Sequence, residues 1–266
     1  MSKRKRKNRF IFVLLGILAI FLLWEFVSLA TSNFDPLALY HSKVFPTFFD
    51  VIQSLFFLSQ DGDFYLGVGA TFLRVFLSAI IAIILGISLG LLAGISGFFR
   101  NFIAPLNVII KATPIAIIVF ILIVFAKGDA TAIVVTLLLM FPMIFEATAS
   151  GVEQLPRELK DEIALNGGMF NFNVMIKVIL PLSFPTSLIG IMNAFGLGLK
   201  VAIMSEILSG SLSTIGLGSL FFKYYSIDFD LSKMFAVAFV TIAISALIDY
   251  ALFKLKRLVN NKTATT

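Results

Sequence analysis

The sequence predicts an all-α integral membrane protein with about six transmembrane helices, on three observations. Hydrophobic residues make up 59% of its 266 positions and charged residues only 14%, with a mean hydropathy of +1.02, whereas roughly a quarter of a soluble domain is charged. The apolar residues gather into runs long enough to cross a hydrocarbon layer of about 30 Å as helices. Those runs lack the alternation of barrel strands, so helices are left as the structure that satisfies its own backbone in lipid.

The spans follow in order. The first, residues 10–30, begins after a basic segment. The second, 75–92, repeats Gly86, Gly90 and Gly94 every fourth residue beside Ser78, Ala79 and Ala82, a small-residue face suited to close helix packing. The third, 102–126, holds Lys111 and Pro114; the proline removes a helical hydrogen bond and should bend the helix, and the long lysine stem can carry its charge to the cytoplasmic side. The fourth, 130–145, is short and needs its polar flanks to cross. The fifth, 180–208, contains Pro185, Gly190, Asn193, Gly196, Gly198, Lys200 and Glu206, a mixture costly to show to lipid and expected to line a cavity or bend. The sixth is 234–253. Glu25, Glu146 and Asp249 fall near span ends and read as interfacial. The chain thus divides into a basic tail (1–9), one membrane domain (10–257) with a polar loop at about 151–179, and a polar C-terminal tail (258–266).

Six crossings place both termini on one side, and basic residues mark the cytoplasmic side. Of 21 Lys and Arg, six precede the first span, while Arg100, Arg157, Lys160, Lys177, Lys254, Lys256, Arg257 and Lys262 fall on the same side. Only Lys43, Lys127, Lys223 and Lys233 fall on the other; Arg74, Lys111 and Lys200 lie within or at the edge of spans. Both termini and the 151–179 loop are therefore expected in the cytoplasm. A basic start, an apolar run and "VSLA" also fit a secretory leader ending near Ala30. The run is long for a leader, and the expectation is that it is retained.

The absence of Cys rules out disulfides and thiolate metal sites, and the single His41 in a polar loop reads as a surface residue rather than a ligand. The phosphate-binding pattern G-x-x-x-x-G-K-[ST] is absent; "GLGLK" has neither its spacing nor its hydroxyl. No constellation of carboxylates or histidines points to hydrolysis or metal binding. The chain is expected to be no enzyme, to bind no cofactor or metal itself and to have no nucleic-acid partner.

Within the polar loop, Leu155, Leu159 and Ile163 recur every fourth residue and form one stripe, with Arg157, Glu158 and Asp161 on the opposite arc. A short amphipathic helix follows, with Pro156 in its first turn and Gly167 and Gly168 ending it. Met169, Phe170 and Phe172 then stand as apolar knobs. An interfacial helix usually carries a basic polar face; this one is mixed, which favours a protein partner.

The stretch "DEIALNGGMFNFNVMIKVILP" resembles the cytoplasmic signature of ABC importer permeases. Glu162, Ala164, Gly168, Leu180 and Pro181 match in register and Pro185 follows at the usual offset, while Ile163 and Val178 depart by apolar swaps. "TFLRVFLSAIIAIILGISLGLLAG", "APLNVIIKATPIAII", "GLKVAIMSEIL" and "TIGLG" are similar to successive blocks of the nitrate/sulfonate/taurine-type permeases, over roughly 45–257. The resemblance implies a type I ABC importer permease-like fold in a bacterial cell membrane. It makes the loop a coupling helix, with Glu162, Ala164, Gly168, Met169, Phe170, Leu180 and Pro181 meeting a cytoplasmic ATPase that holds ATP and Mg. It also implies a permease homodimer and an extracellular or periplasmic solute-binding protein on the outer loops, which include Gly216, Leu217 and Gly218. The substrate implied is a small polar solute, an anion such as nitrate, a sulfonate or taurine; pyrimidine vitamin precursors are the alternative within the family.

Translocation-pathway candidates are Lys200, Asn193, Glu206 and Arg74. For Lys200 two readings stand: it snorkels or pairs with Glu206, Arg74 or a neighbour's carboxylate, or it supplies positive potential to an anion's path. Lys200 and Glu206 are six apart and so on different faces, whereas an Arg74–Glu206 bridge fits two residues placed toward the outer side. A secondary transporter or channel is the competing class, and it should show inverted internal repeats; none is visible. A membrane scaffold without transport would have no use for Lys200 in a glycine-rich span.

Overall fold

The structure is a computed structural model that describes residues 3–31, 44–126, 128–165, 168–210 and 215–263. His41, Lys43, Lys127 and Gly167, and the side chain of Ala164, lie outside the described residues. The described chain is helical: α1 (Lys3–Thr31), α2 (Phe48–Leu58), α3 (Gly62–Ile95), α4 (Gly97–Ala112), α5 (Ile115–Phe125), α6 (Asp129–Glu153), α7 (Arg157–Leu165), α8 (Phe172–Val174), a π-turn (Met175–Ile179), α9 (Leu180–Ser209), α10 (Leu217–Ser226) and α11 (Leu231–Thr263). Among these residues, five helical stretches are long and apolar enough to cross a membrane, and six if α4 and α5 form one broken span.

The expected third span is the main departure. It is two helices bent by 102°, because Pro114 brings no N–H and forces Thr113 out of the helical region, to φ −79°, ψ 125°. The fourth span is not short; α6 runs for 25 residues and absorbs the polar flanks. The fifth starts earlier than expected, at Phe172. Lys177 and Pro181 explain the π-turn between them: in an α-helix the Pro181 ring would collide with the Lys177 carbonyl, and a widened turn relieves that contact.

Contacts divide the chain into two units. In the larger, α6 lies between α3 and α9. Gly86, Gly90 and Gly94 let α3 approach so closely that a Cβ at each would stand 2.7, 2.7 and 2.5 Å from Ile144, Thr148 and Val152. On the other side Gly190 meets Ala147, and a Cβ at Gly198 would stand 2.7 Å from the Met140 sulfur. α4 packs on α6 through Ile103, and Arg100 and Lys111, about 16 Å apart along their helix, both reach Glu146, at 3.5 and 3.6 Å. Glu146 is therefore an ion-pair hub rather than a plain interfacial residue. Past the bend, Ile118 and Val119 of α5 pack with Val135 and Val201.

In the smaller unit, α1 and α2 meet the first turns of α11 through rings. The Trp24 ring lies within 6 Å of those of Phe45, Phe235 and Phe239, in tilted and edge-to-face contacts, and its indole N–H donates to the Pro46 carbonyl. Thr47 and Asp50 close α2 with a capping box, and Glu25 accepts the Phe48 N–H at 2.9 Å, so Glu25 is a cap for α2 rather than only an interfacial charge. Burial and then the charges of Asp61, Asp228, Asp230 and Asp63 push the Tyr224 phenol up to about 12.

Replacing Gly90 by Leu should overpack α3 against α6 and cost about 1–3 kcal/mol, read as a lowered Tm in detergent, whereas Gly69→Leu, at a position with nothing within 4 Å, should leave it unchanged. Tyr224 should stay protonated in the folded protein to pH about 12, above the ordinary tyrosine value near 10. Its contribution to stability is therefore full below about pH 10 and lost as pH rises to about 12, measurable as a late tyrosinate absorbance step absent from Tyr224→Phe.

Candidate functional site

The polar loop folds as the 3.6-residue pattern requires. Pro156 sits at the cap of α7, its carbonyl accepting the Lys160 N–H at 3.1 Å. The stripe of Leu155, Leu159 and Ile163 packs on Leu91, Val152 and Ile179, which ties α7 to the ends of α3 and α6 and to the start of the fifth span. Gly168 takes φ +82°, a conformation only glycine adopts freely, and its N–H returns to the Ile163 carbonyl. Leu180 and Pro181 follow the π-turn and carry the chain into α9.

The knobs divide differently from expectation. Met169 turns inward and joins the cluster around Ile163 and Ile179, while Phe170 and Phe172 are 61% and 74% exposed. Leu165, at the end of α7, is 87% exposed and was missed because the four-residue stripe excludes it. Glu162 lines an open cleft of about 240 Å³ between α7 and the π-turn with Leu159, Ile163, Val174 and Val178.

At the opposite end of α6, Arg74 and Glu206 are buried and paired at 2.5 Å. The Arg74 guanidinium also donates to Asp129 at 2.6 and 2.9 Å and to the Ile215 carbonyl. Glu206 accepts from the Thr71 hydroxyl at 3.0 Å and the Gly218 N–H at 2.9 Å, and Thr71 accepts the Leu217 N–H. α3, α6, α9 and the Gly216–Gly218 turn are thereby joined at one point. A Cβ at Gly216 would stand 2.6 Å from both Arg74 and Glu206, so position 216 has room only for glycine. Thr71 and Asp129 were not singled out in the sequence; the one signal was the three-residue spacing of Thr71 and Arg74, which puts both on one helix face.

Lys200 and Asn193 occupy a second, exposed setting. Lys200 donates to Asp249 of α11 at 2.7 Å, and both side chains are half exposed. Lys256 donates to Asn193. Asp249, read as interfacial from the sequence, is the Lys200 partner, rather than Glu206 or Arg74. A charged group at mid-bilayer costs at least ~2.5 kcal/mol, so this strip requires water or a polar neighbour. The four pathway candidates therefore fall into two pairs: Arg74 with Glu206 inside the helix packing, Lys200 and Asn193 on a surface of α9.

Residues 82–261 match the family described as binding-protein-dependent transport system inner membrane component. Over 147 residues the chain is 28% identical to the glycine betaine/proline betaine transport system permease protein ProW of Escherichia coli (strain K12), a match covering 53% of this chain and 39% of that one. The Salmonella typhimurium protein of the same name is 27% identical over the same shares; the match spans about two fifths of these curated relatives. The fold is shared with a chain of the MetNI methionine ABC transporter in inward-facing conformations, at TM-score 0.59 and 22% identity, covering 74% of this chain and 96% of that one. It is shared also with a chain of an amino acid ABC transporter with histidines, at TM-score 0.60 and 14% identity, covering 76% and 97%.

Removing one member of the buried pair should be far worse than removing both. Arg74→Met should cost about 3–5 kcal/mol by stranding Glu206, and the double variant Arg74→Met/Glu206→Met should recover much of it; unfolding in a double-mutant cycle measures the difference.

Proposed function

Because the chain belongs to the binding-protein-dependent transport system inner membrane component family, we propose that it is the permease subunit of an ATP-driven importer, with a separate cytoplasmic ATPase as the motor and an external solute-binding protein as the source of substrate. The observation that carries this reading is the α7 loop: a nine-residue helix anchored by its stripe to the ends of α3 and α6 and to the start of the fifth span, with Leu165, Phe170 and Phe172 left facing away. A short helix so anchored moves as part of the bundle. Pushing on it moves the membrane helices as rigid bodies, which is what alternating access needs.

In this reading ATP and Mg sit on the partner, both termini and α7 face the cytoplasm, and two copies of the chain enclose one pathway. Glu162 flanks the docking surface and Gly168 sets the direction in which the chain leaves α7. The substrate is a small polar solute bearing an anionic group. Glycine betaine, methionine and sulfonates such as taurine share that feature, and the names of the relatives above support the first two.

Co-purification tests the docking surface. Leu165→Asp with Phe170→Asp should weaken retention of the cognate ATPase at least about thirtyfold, as loss of a binding hot spot does, with the Tm of the membrane subunit unchanged. An ATPase held as tightly by this variant as by the wild-type chain would overturn the assignment.

A further inference from the structure

We propose that the exposed polar strip between α9 and α11 is a contact site for zwitterionic solutes, with Lys200 taking the anionic end and Asp249 the cationic end. This rests on the permease reading and adds to it a substrate class and a residue pair. Asn193, Leu197, Lys200 and Met204 are all exposed and, at steps of four, three and four residues, share one face of α9. Opposite them Asp249 and Lys256, seven apart on α11, share another. The strip therefore has two rungs, Lys200 to Asp249 at 2.7 Å and Lys256 to Asn193.

Glycine shapes the first rung. A Cβ at Gly196 would stand 2.9 Å from Asp249 Oδ1, so the missing side chain gives that oxygen its place one turn from Lys200. Oδ2 receives the lysine; Oδ1 takes no further hydrogen bond among the described residues, and the ammonium has two more N–H groups to offer. Both side chains keep about half of their surface, 50% and 48%. They are charged, within membrane-length helices, and unsuited to lipid.

The chemistry of the pair selects its guest. A simple anion approaching the ammonium would meet the Asp249 carboxylate alongside, and a simple cation would meet Lys200. A molecule carrying a carboxylate or sulfonate at one end and an ammonium at the other can replace each partner by its like. The exchange leaves no charge bare and changes no net charge. An anion such as nitrate, expected from the sequence, has no such exchange to make.

The chain has no cysteine, so Leu197→Cys places a single reporter thiol of this subunit on the strip. In membrane vesicles holding the complete importer, a water-soluble maleimide should label it. Taurine, glycine betaine or methionine should slow that labelling, and nitrate should not. Adding Asp249→Asn or Lys200→Met should weaken the protection about tenfold or more, as expected for loss of one charge-assisted hydrogen bond. A thiol that does not react would mean that lipid or a second copy covers the strip and would overturn the inference. So would equal protection by nitrate, no protection by any of the three zwitterions, or protection unchanged in Asp249→Asn. The permease reading would fail separately, by absence of the ATPase from the purified complex.

Discussion

The contact on which the rest depends is the near-backbone approach of α6 to α3 on one side and α9 on the other. In lipid there is no hydrophobic gain in bringing helices together, and association rests on packing and polar contacts. Gly86, Gly90, Gly94, Gly190 and Gly198 supply the packing by leaving space for Ile144, Thr148, Val152, Ala147 and Met140. With α6 held from both sides, its two ends become fixed points: Asp129 meets Arg74 at one, and at the other Val152 meets Leu91, Ile163 and Ile179. The stiffness of the α7 attachment is a consequence of that arrangement.

The ion pair at the Asp129 end adds geometry more than energy. Taking two charges out of water costs several kcal/mol each, roughly what their attraction returns. Arginine's planar fork can address Glu206, Asp129 and the Ile215 carbonyl together, where a lysine would act as a single point. Three helices and a turn are thereby held in one register. Lys200 and Asp249 are the contrasting case: one bond, half exposed, with donors and an acceptor to spare.

Much of this was legible in the sequence, for identifiable reasons. Apolar runs of membrane length, the four-residue glycine repeat and the Leu155–Leu159–Ile163 stripe are local patterns, and each maps onto the element it implies. What could not be read depends on partners distant in the chain. Lys200 and Asp249 are 49 residues apart, and no helical period relates them. Met169 left its expected place among the exposed knobs because the break at Gly168 resets the face on which the following residues fall. Pro114 announced a bend, but its size of 102° belongs with the packing of α5 on residues distant in the chain, Val135 and Val201, which is a tertiary matter.

The π-turn before Pro181 has a rotational meaning. An α-helix advances about 100° per residue, so one surplus residue inside a turn swings every later side chain by about that angle relative to the chain before it. Met175–Ile179 thus acts as a phase-setter between the segment that carries Phe172 and the helix that carries Asn193 and Lys200. Shortening the chain there by a single residue would leave the hydropathy of the span intact yet aim Lys200 away from Asp249, which is why length, more than composition, is the property this segment must keep.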